Sequence, residues 1–304
     1  MFILNPDQYL VPCYRISPFK TADISFNSEL PDDESVDDYF FDRFKGRNYT
    51  ITNNGREALY LALSQYNLEP DDIVTILTTS GNYYISSCVT TEIEKICSWS
   101  RKIESNTRVI LINHEFGYPF ERLSEIENLR IPVIEDCAHS FFSSDRDGRT
   151  GFIGDYVIFS FPKMFPLQVG GLLVSSRGVH IDSFITRECK KYIRNVLSYY
   201  IHRKEWIIEK RLLNYMFLSE LFNKLGFSER FAHKEGITPG VFMFEVKSHG
   251  DLNLAELKKN YYSHGVQCSV FYGEQAFFLP VHQYLSEYDM IYFSKILESF
   301  MLKK

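Results

Sequence analysis

The chain has 304 residues, with 33 Lys and Arg against 39 Asp and Glu, so its formal net charge is −6. At roughly 150 residues per domain, this length suggests one large domain or two modest ones. An apolar fraction of 45% with 24% charged residues excludes disorder and collagen-like repeats, and the acidic balance argues against general binding to a nucleic-acid backbone.

In chain order, the N-terminal stretch MFILNPDQYLVPCYR has no basic region and only a short apolar run, which does not make a signal peptide. No window of 18 apolar residues follows, so no membrane-spanning helix is expected. Pro31–Glu34 reads as a loop. Short, β-branched, nearly continuous apolar runs then recur at Ile73–Leu77, Val109–Ile112, Ile131–Ile134, Val157–Phe161 and Leu172–Val174. Strands covered on both faces of a parallel sheet read this way. Helical patterns at Arg56–Tyr66 and Tyr83–Ile96 lie between them, and the alternation predicts an α/β domain.

From about residue 180 the texture changes. Residues 180–226 predict one or two long helices. A strand at Val241–Val246, a helix near Leu252–His264, a strand at Val266–Tyr272 and a last helix at Tyr288–Leu302 follow. The expected division is a large domain over residues 1–180 and a smaller α+β domain over residues 181–304. The six cysteines form no CxxC pair and no zinc-spaced cluster, so reduced, buried thiols in a cytoplasmic protein are expected. Aromatic residues make up 16% of the chain, with 20 Tyr and 26 Phe. A packed core, a stacking site and a buried subunit interface each account for such a load.

Ligands of open α/β sheets gather beyond the carboxyl ends of the strands. Three segments there carry candidate chemistry. Asn54-Gly55-Arg56-Glu57 opens a helix: it reads as a capping box, or as a phosphate site at a helix N-terminus with a close-approaching Gly55. The two readings conflict, because a Glu57 carboxylate folded back as a cap opposes an anion. Glu135-Asp136-Cys137-Ala138-His139 follows a strand directly. Neighbours on an extended segment point to opposite faces, so one carboxylate faces a ligand or caps the next helix. Lys163 follows the fourth run and precedes Gly170-Gly171; it is an ordinary loop lysine, or a desolvated amine able to form a Schiff base. HExxH, GxSxG, GxxxxGK[ST] and GxGxxG are all missing, so metal hydrolysis, a serine triad and a nucleotide loop have no motif support.

Taken in order, these segments resemble the DegT/DnrJ/EryC1/StrS family of sugar aminotransferases, from about Asn48 to Ser175. Asn54–Leu59 is similar to the family's phosphate turn. His114-Glu115-Phe116-Gly117-Tyr118-Pro119 is similar to its H-x-(Y/F)-G-x-P loop. Val133–His139 matches its V-I-E-D-A-A-(Q/H) segment, and Gly154–Gly171 its G-D-x-x-x-F-S-F…K…GG segment. The resemblance implies a three-layer α/β/α, mainly parallel sheet (the fold type I of pyridoxal-phosphate enzymes), with a smaller C-terminal domain. It implies pyridoxal 5′-phosphate as cofactor, a keto sugar, nucleotide-linked, and glutamate as substrates, and a homodimer.

By the same resemblance, Lys163 holds the cofactor and Asp136 pairs with its pyridinium nitrogen. His139 contacts the ring or its 3′-oxygen, and Tyr84 (or Tyr83, one position away) stacks on the ring. Ser160 and the N–H groups of Gly55, Arg56 and Glu57 hold the phosphate.

Three departures stand out. Ser160 and Lys163 are closer by two residues than the family pattern. The G-Y-N-Y-R-like segment that completes the neighbouring subunit's site has no counterpart in Arg177–Arg211. The chain is also short, and the region around Cys97–Asn106 looks trimmed. Arg56 is the expected compensation, binding phosphate within its own subunit. Phe271-Tyr272-Gly273 and Leu279-Pro280-Val281-His282 are expected to face substrate. A catalytically silent scaffold and a cofactor-dependent sugar dehydratase are the competing readings. The first has no need of both Asp136 and Lys163, and the second replaces the lysine by histidine.

Overall fold

A computed structural model describes residues 13–246 and 252–302; most of the N-terminal stretch read for a leader lies outside them. Seven strands form the larger sheet: β1 (Asn48–Thr52), β2 (Ile73–Thr78), β3 (Ser98–Ser100), β4 (Thr107–Asn113), β5 (Val133–Asp136), β6 (Tyr156–Ser160) and β7 (Gly171–Ser175). Their order is β1-β7-β6-β5-β4-β2-β3, and only β7 runs antiparallel to its neighbours. All five apolar runs became strands of this sheet. Helices cover both faces, as the alternation predicts.

The period of two decides which side chain meets which layer. On β6, Tyr156 and Ile158 pack with Ala58, Leu59 and Ala62 of α3 (Gly55–Leu63) and with Ile93 of α4 (Ser87–Glu94). Val157 and Phe159 point the other way, to Val36, Phe40 and Phe44 of the α2 (Ser35–Arg43) region and to Ile193 and Leu197 of α6 (Arg187–Ile201). A short α1 (Ala22–Ser28) flanks α6, and α5 (Leu123–Glu127) seals Ile110 and Ile112 of β4.

The second unit is a four-stranded antiparallel sheet, β8 (Ser228–Glu229), β9 (Phe242–Glu245), β10 (Ser269–Val270) and β11 (Ala276–Leu279), in the order β10-β11-β9-β8. It packs with α7 (Lys204–Lys224), α8 (Leu254–Ser263) and α9 (Glu287–Leu302). The chain crosses between the two cores along α7: Ile207 joins the first core, while Tyr215, Leu218 and Phe222 join the second. The expected division near residue 180 precedes α6, whose apolar side belongs to the first core.

Several local expectations are corrected. α4 begins at Ser87, because Ser86 caps it by accepting from the Cys88 N–H; Tyr83 and Tyr84 are therefore loop residues. The run Val266–Tyr272 yields only the two-residue β10. Leu279 and Val281, expected to face substrate, are fully buried in the second core. Of the thiols, Cys97, Cys137 and Cys268 are buried, but Cys13 and Cys88 are exposed. No helix among the described residues is long and apolar enough to cross a membrane.

Candidate active site

Asp136 ends β5, Asn113 ends the adjacent β4, and Ser160 ends β6. These three residues mark the carboxyl edge of the sheet at its centre. The Asp136 carboxylate is buried. Its Oδ2 accepts from Asn113 Nδ2 at 2.8 Å and its Oδ1 from the Ala138 N–H at 3.0 Å. A carboxylate offers about four acceptor positions, so two donors leave room for a third. Burial raises its pKa, opposed by those two donors and by His114 and Lys163. Asn113 escaped the sequence reading; its signal was its place at the end of the strand beside β5.

Lys163 lies in the single turn Phe161–Lys163 that follows β6. Burial lowers the pKa of its amine, and Cys88 and Asp136 pull it back up. That downward direction is the one a desolvated amine takes, in a side chain half-buried at the surface, with Cys88 and Asp136 as its electrostatic partners. His139 shares the space. Burial, then the charges of Lys163 and Arg211, hold its imidazole well below the usual range, so it is neutral. Its Nδ1 has no partner among the described residues. Gly240 passes so close that a Cβ there would stand 2.9 Å from that nitrogen.

The start of α3 settles part of the conflict over Glu57. Asn54 is the N-cap, and its Oδ1 accepts from the Glu57 N–H at 3.0 Å. The Glu57 carboxylate folds back to the Asn53 N–H at 2.8 Å and reaches the Phe184 N–H at 2.6 Å. The expected role of the Glu57 N–H in holding a phosphate is therefore corrected: the capping box uses it. The N–H groups of Gly55 and Arg56 have no acceptor among the described residues. A Cβ on Gly55 would lie 3.3 Å from that of Ser160, so Ser160 does stand beside this turn despite its shortened interval to Lys163. A Cβ on Gly171 would sit 2.5 Å from the Asn54 carbonyl carbon, so only glycine lets β7 meet the turn. The result is a small cradle of two N–H groups and a hydroxyl at the positive end of a helix. The Arg56 side chain is exposed on the wall of an adjoining cavity of about 600 Å³, which Tyr60, Lys95 and Phe184 also line.

Tyr84 and Tyr83 part company. Tyr83 is exposed, with the Arg101 guanidinium 6.0 Å from its ring centroid. Tyr84 turns inward to Phe116 at 6.1 Å, Phe271 at 5.4 Å and Tyr272 at 6.3 Å. Phe116 in turn lies 5.3 Å from the His139 ring. Phe271 and Tyr272, expected to face substrate, are thus brought to the site. Their loop is fixed by Asn82, whose Nδ2 donates to the Tyr272 carbonyl at 2.9 Å.

Beneath the edge, His114 and Glu135 are buried together, His114 Nε2 at 3.1 Å from Glu135 Oε2. The other ring nitrogen accepts from the Phe120 N–H at 3.0 Å, which makes Nε2 the donor. Glu135 also accepts from the N–H groups of Gly151, Ile153 and Gly154. His114, Glu135 and Cys137 lie close enough to suggest a metal site. Both imidazole nitrogens are committed, however, and the carboxylate already carries four donors, so the trio is a structural support for the strand ends.

A model of the DegT/DnrJ/EryC1/StrS aminotransferase family matches residues 38–182. The chain is 26% identical over 189 residues to GDP-perosamine synthase from Escherichia coli O157:H7, which covers 55% of this chain and 50% of that protein. It spans about half the length of the curated relatives it matches. Among solved structures, the aminotransferase TlmJ from Streptoalloteichus hindustanus superposes with a TM-score of 0.75 at 14% identity, over 95% of this chain and 99% of that one. The PLP form of Spr1654, a Streptococcus pneumoniae protein named as a sugar aminotransferase, gives 0.74 at 15% identity, over 94% and 97%. At these identities the likeness to solved structures establishes the fold.

Proposed function

We propose that the chain, whose residues 38–182 match the DegT/DnrJ/EryC1/StrS aminotransferase family, is a member of that family and a pyridoxal-phosphate-dependent aminotransferase. Its substrates are a keto sugar, nucleotide-linked, and glutamate as amino donor. It works as a cytoplasmic homodimer in amino-sugar biosynthesis, with its two units dividing within α7. The observation that carries this reading is the buried Asp136 carboxylate with a spare acceptor position, next to a desolvated Lys163 amine.

The residues present fit the cofactor. The cradle of Gly55, Arg56 and Ser160 suits a phosphate, a Cβ-free Gly171 keeps it open, and the orphaned His139 Nδ1 suits a ring oxygen. When bound, pyridoxal phosphate supplies the electron sink for a carbanion next to nitrogen. Asp136 keeps the ring nitrogen protonated, since a buried carboxylate without a third donor gains most from that charge. Lys163 Nζ, its pKa lowered by burial, would hold the cofactor and, once released from it, could take up and return a proton at that nitrogen. His139, neutral, orients the ring without adding charge, and the Tyr84 ring lines the same space. Arg56 adds a cation to the phosphate from its own subunit.

Purified protein given pyridoxal phosphate should show the absorbance of a lysine-bound cofactor, and borohydride should trap it on the Lys163 peptide. Glutamate should then yield 2-oxoglutarate. A wild-type protein that traps nothing at Lys163 would overturn the assignment. Retention of Lys163 with Asp136 favours this reading over a silent scaffold and over the dehydratase branch.

A further inference from the structure

Arg211 sits at the middle of the inward face of α7, in line with Ile207, Tyr215, Leu218 and Phe222. It is fully buried, and burial alone pushes its pKa down, to about 9. Among the described residues no carboxylate pairs with it. A buried cation without a counter-charge is costly, and is kept where its donors do specific work. Here the guanidinium fork reaches three separate segments. Nε donates to Gln283 Oε1 at 2.9 Å, Nη1 to the Pro239 carbonyl at 3.2 Å, and Nη2 to the Lys163 carbonyl at 3.0 Å. Gln283, itself buried, passes the contact on: its Nε2 donates to the Met164 carbonyl at 3.0 Å. Two successive carbonyls of the lysine turn are thus held from the second half of the chain. The residue after Pro239 is Gly240, whose N–H donates to the Phe116 carbonyl at 2.7 Å and which passes close to His139.

We propose that Arg211, with Gln283, is a positioning residue: it fixes the backbone of the Lys163–Met164 turn and so aims the Lys163 amine toward Asp136 and His139. The inference rests on reading Lys163 as the reacting amine. It implies that the nucleophile is registered by the second unit, through Pro239 and Gln283, and not by the strand end alone. Lysine is a poor substitute for arginine here, because a point charge on a flexible stem cannot span three fixed acceptors.

The test uses cofactor-free protein, so it does not depend on turnover. The pH profile of Lys163 acylation by acetic anhydride is read by mass spectrometry against an exposed reference lysine. Arg211→Met and Gln283→Leu should move the Lys163 midpoint upward, toward ordinary lysine, by about one pH unit. Arg211→Lys should fall between. Asn214→Ala is the control: it removes α7 bonds to the His282 and Leu285 carbonyls but none to the lysine turn, and should leave the profile unmoved. Should Arg211→Met fail to fold, Gln283→Leu decides. A profile that coincides with wild type in the folded variants, or one that Asn214→Ala shifts as far, overturns the proposal whatever happens to Tm. Absence of borohydride trapping at wild-type Lys163 would instead overturn the functional reading, leaving the acylation result to stand by itself.

Discussion

Lowering the pH from 7 to 5 is expected to remove about 2 kcal/mol of stability through one side chain, His282. Its imidazole is 4% exposed, and Nδ1 accepts from the Tyr284 N–H at 3.2 Å. Burial first, then the nearby charges of Arg211 and Lys20, push its pKa from 6.5 down to about 3. Backbone hydrogen bonds of Arg15 and of His282 itself oppose that shift. The folded pKa is depressed, so the neutral ring's contribution is fully present above the unfolded value and is lost as pH falls. At pH 5 the unfolded chain binds the proton about 1.5 units below its pKa while the folded chain does not. At about 1.4 kcal/mol per unit this is about 2 kcal/mol, rising to about 4 kcal/mol at pH 3. Urea unfolding at pH 7, 6 and 5 on wild type and His282→Gln measures it, since glutamine stays neutral throughout. Wild type should lose about 2 kcal/mol more than the variant between pH 7 and 5; His139 is common to both and cancels. Equal losses in the two proteins would refute the reasoning.

Gly171→Ala should destabilise by about 1–3 kcal/mol and weaken cofactor affinity, because its Cβ would meet backbone atoms of Asn54 that cannot swing away. Thermal melts and a cofactor titration check both, and unchanged affinity would separate the cradle from this turn. Arg56→Ala should lower cofactor affinity about tenfold or more, the scale of a charge-assisted hydrogen bond; affinity equal to wild type would sink the compensation idea. His114→Ala leaves the Phe120 N–H unpaired and takes one donor from Glu135, so a loss of about 3 kcal/mol is expected in urea unfolding. A loss below about 1 kcal/mol would mean that water replaces the ring.

Much of the large sheet was legible because its strands are buried on both faces and therefore read as unbroken apolar runs, as in Val109–Ile112. β1 was not, because its residues Asn48–Thr52 are largely polar and owe their strand state to pairing with β7, over a hundred residues on. α2 was also missed: only Val36 and Phe40 of its residues are buried, and the exposed Phe41 beside them blurs the period. Asp136, Lys163 and the α3 cap were legible as candidates, since strand ends and caps are short-range features. Arg211 left a signal that went unread: a charged residue in line with the buried apolar positions of a helix.

What the sequence determined by itself was the alternation of elements, and with it the strand ends and the helix start where Asn54–Glu57, Asp136 and Lys163 stand as candidates. These follow from side-chain period and from contacts within four residues. The tertiary structure decided which groups meet. It joined Asn113 to Asp136, set Ser160 against Gly55, and tied Lys163 to Arg211 and Met164 to Gln283 across 48 and more positions. It also divided the aromatic load. Phe40, Phe141, Phe159 and Phe161 went to one core, Phe222, Phe242 and Phe244 to the other, and Tyr84, Phe116, Phe271 and Phe278 gathered beside the site. A ring's apolar area is the same in all three places; only packing between distant segments selects the one it fills.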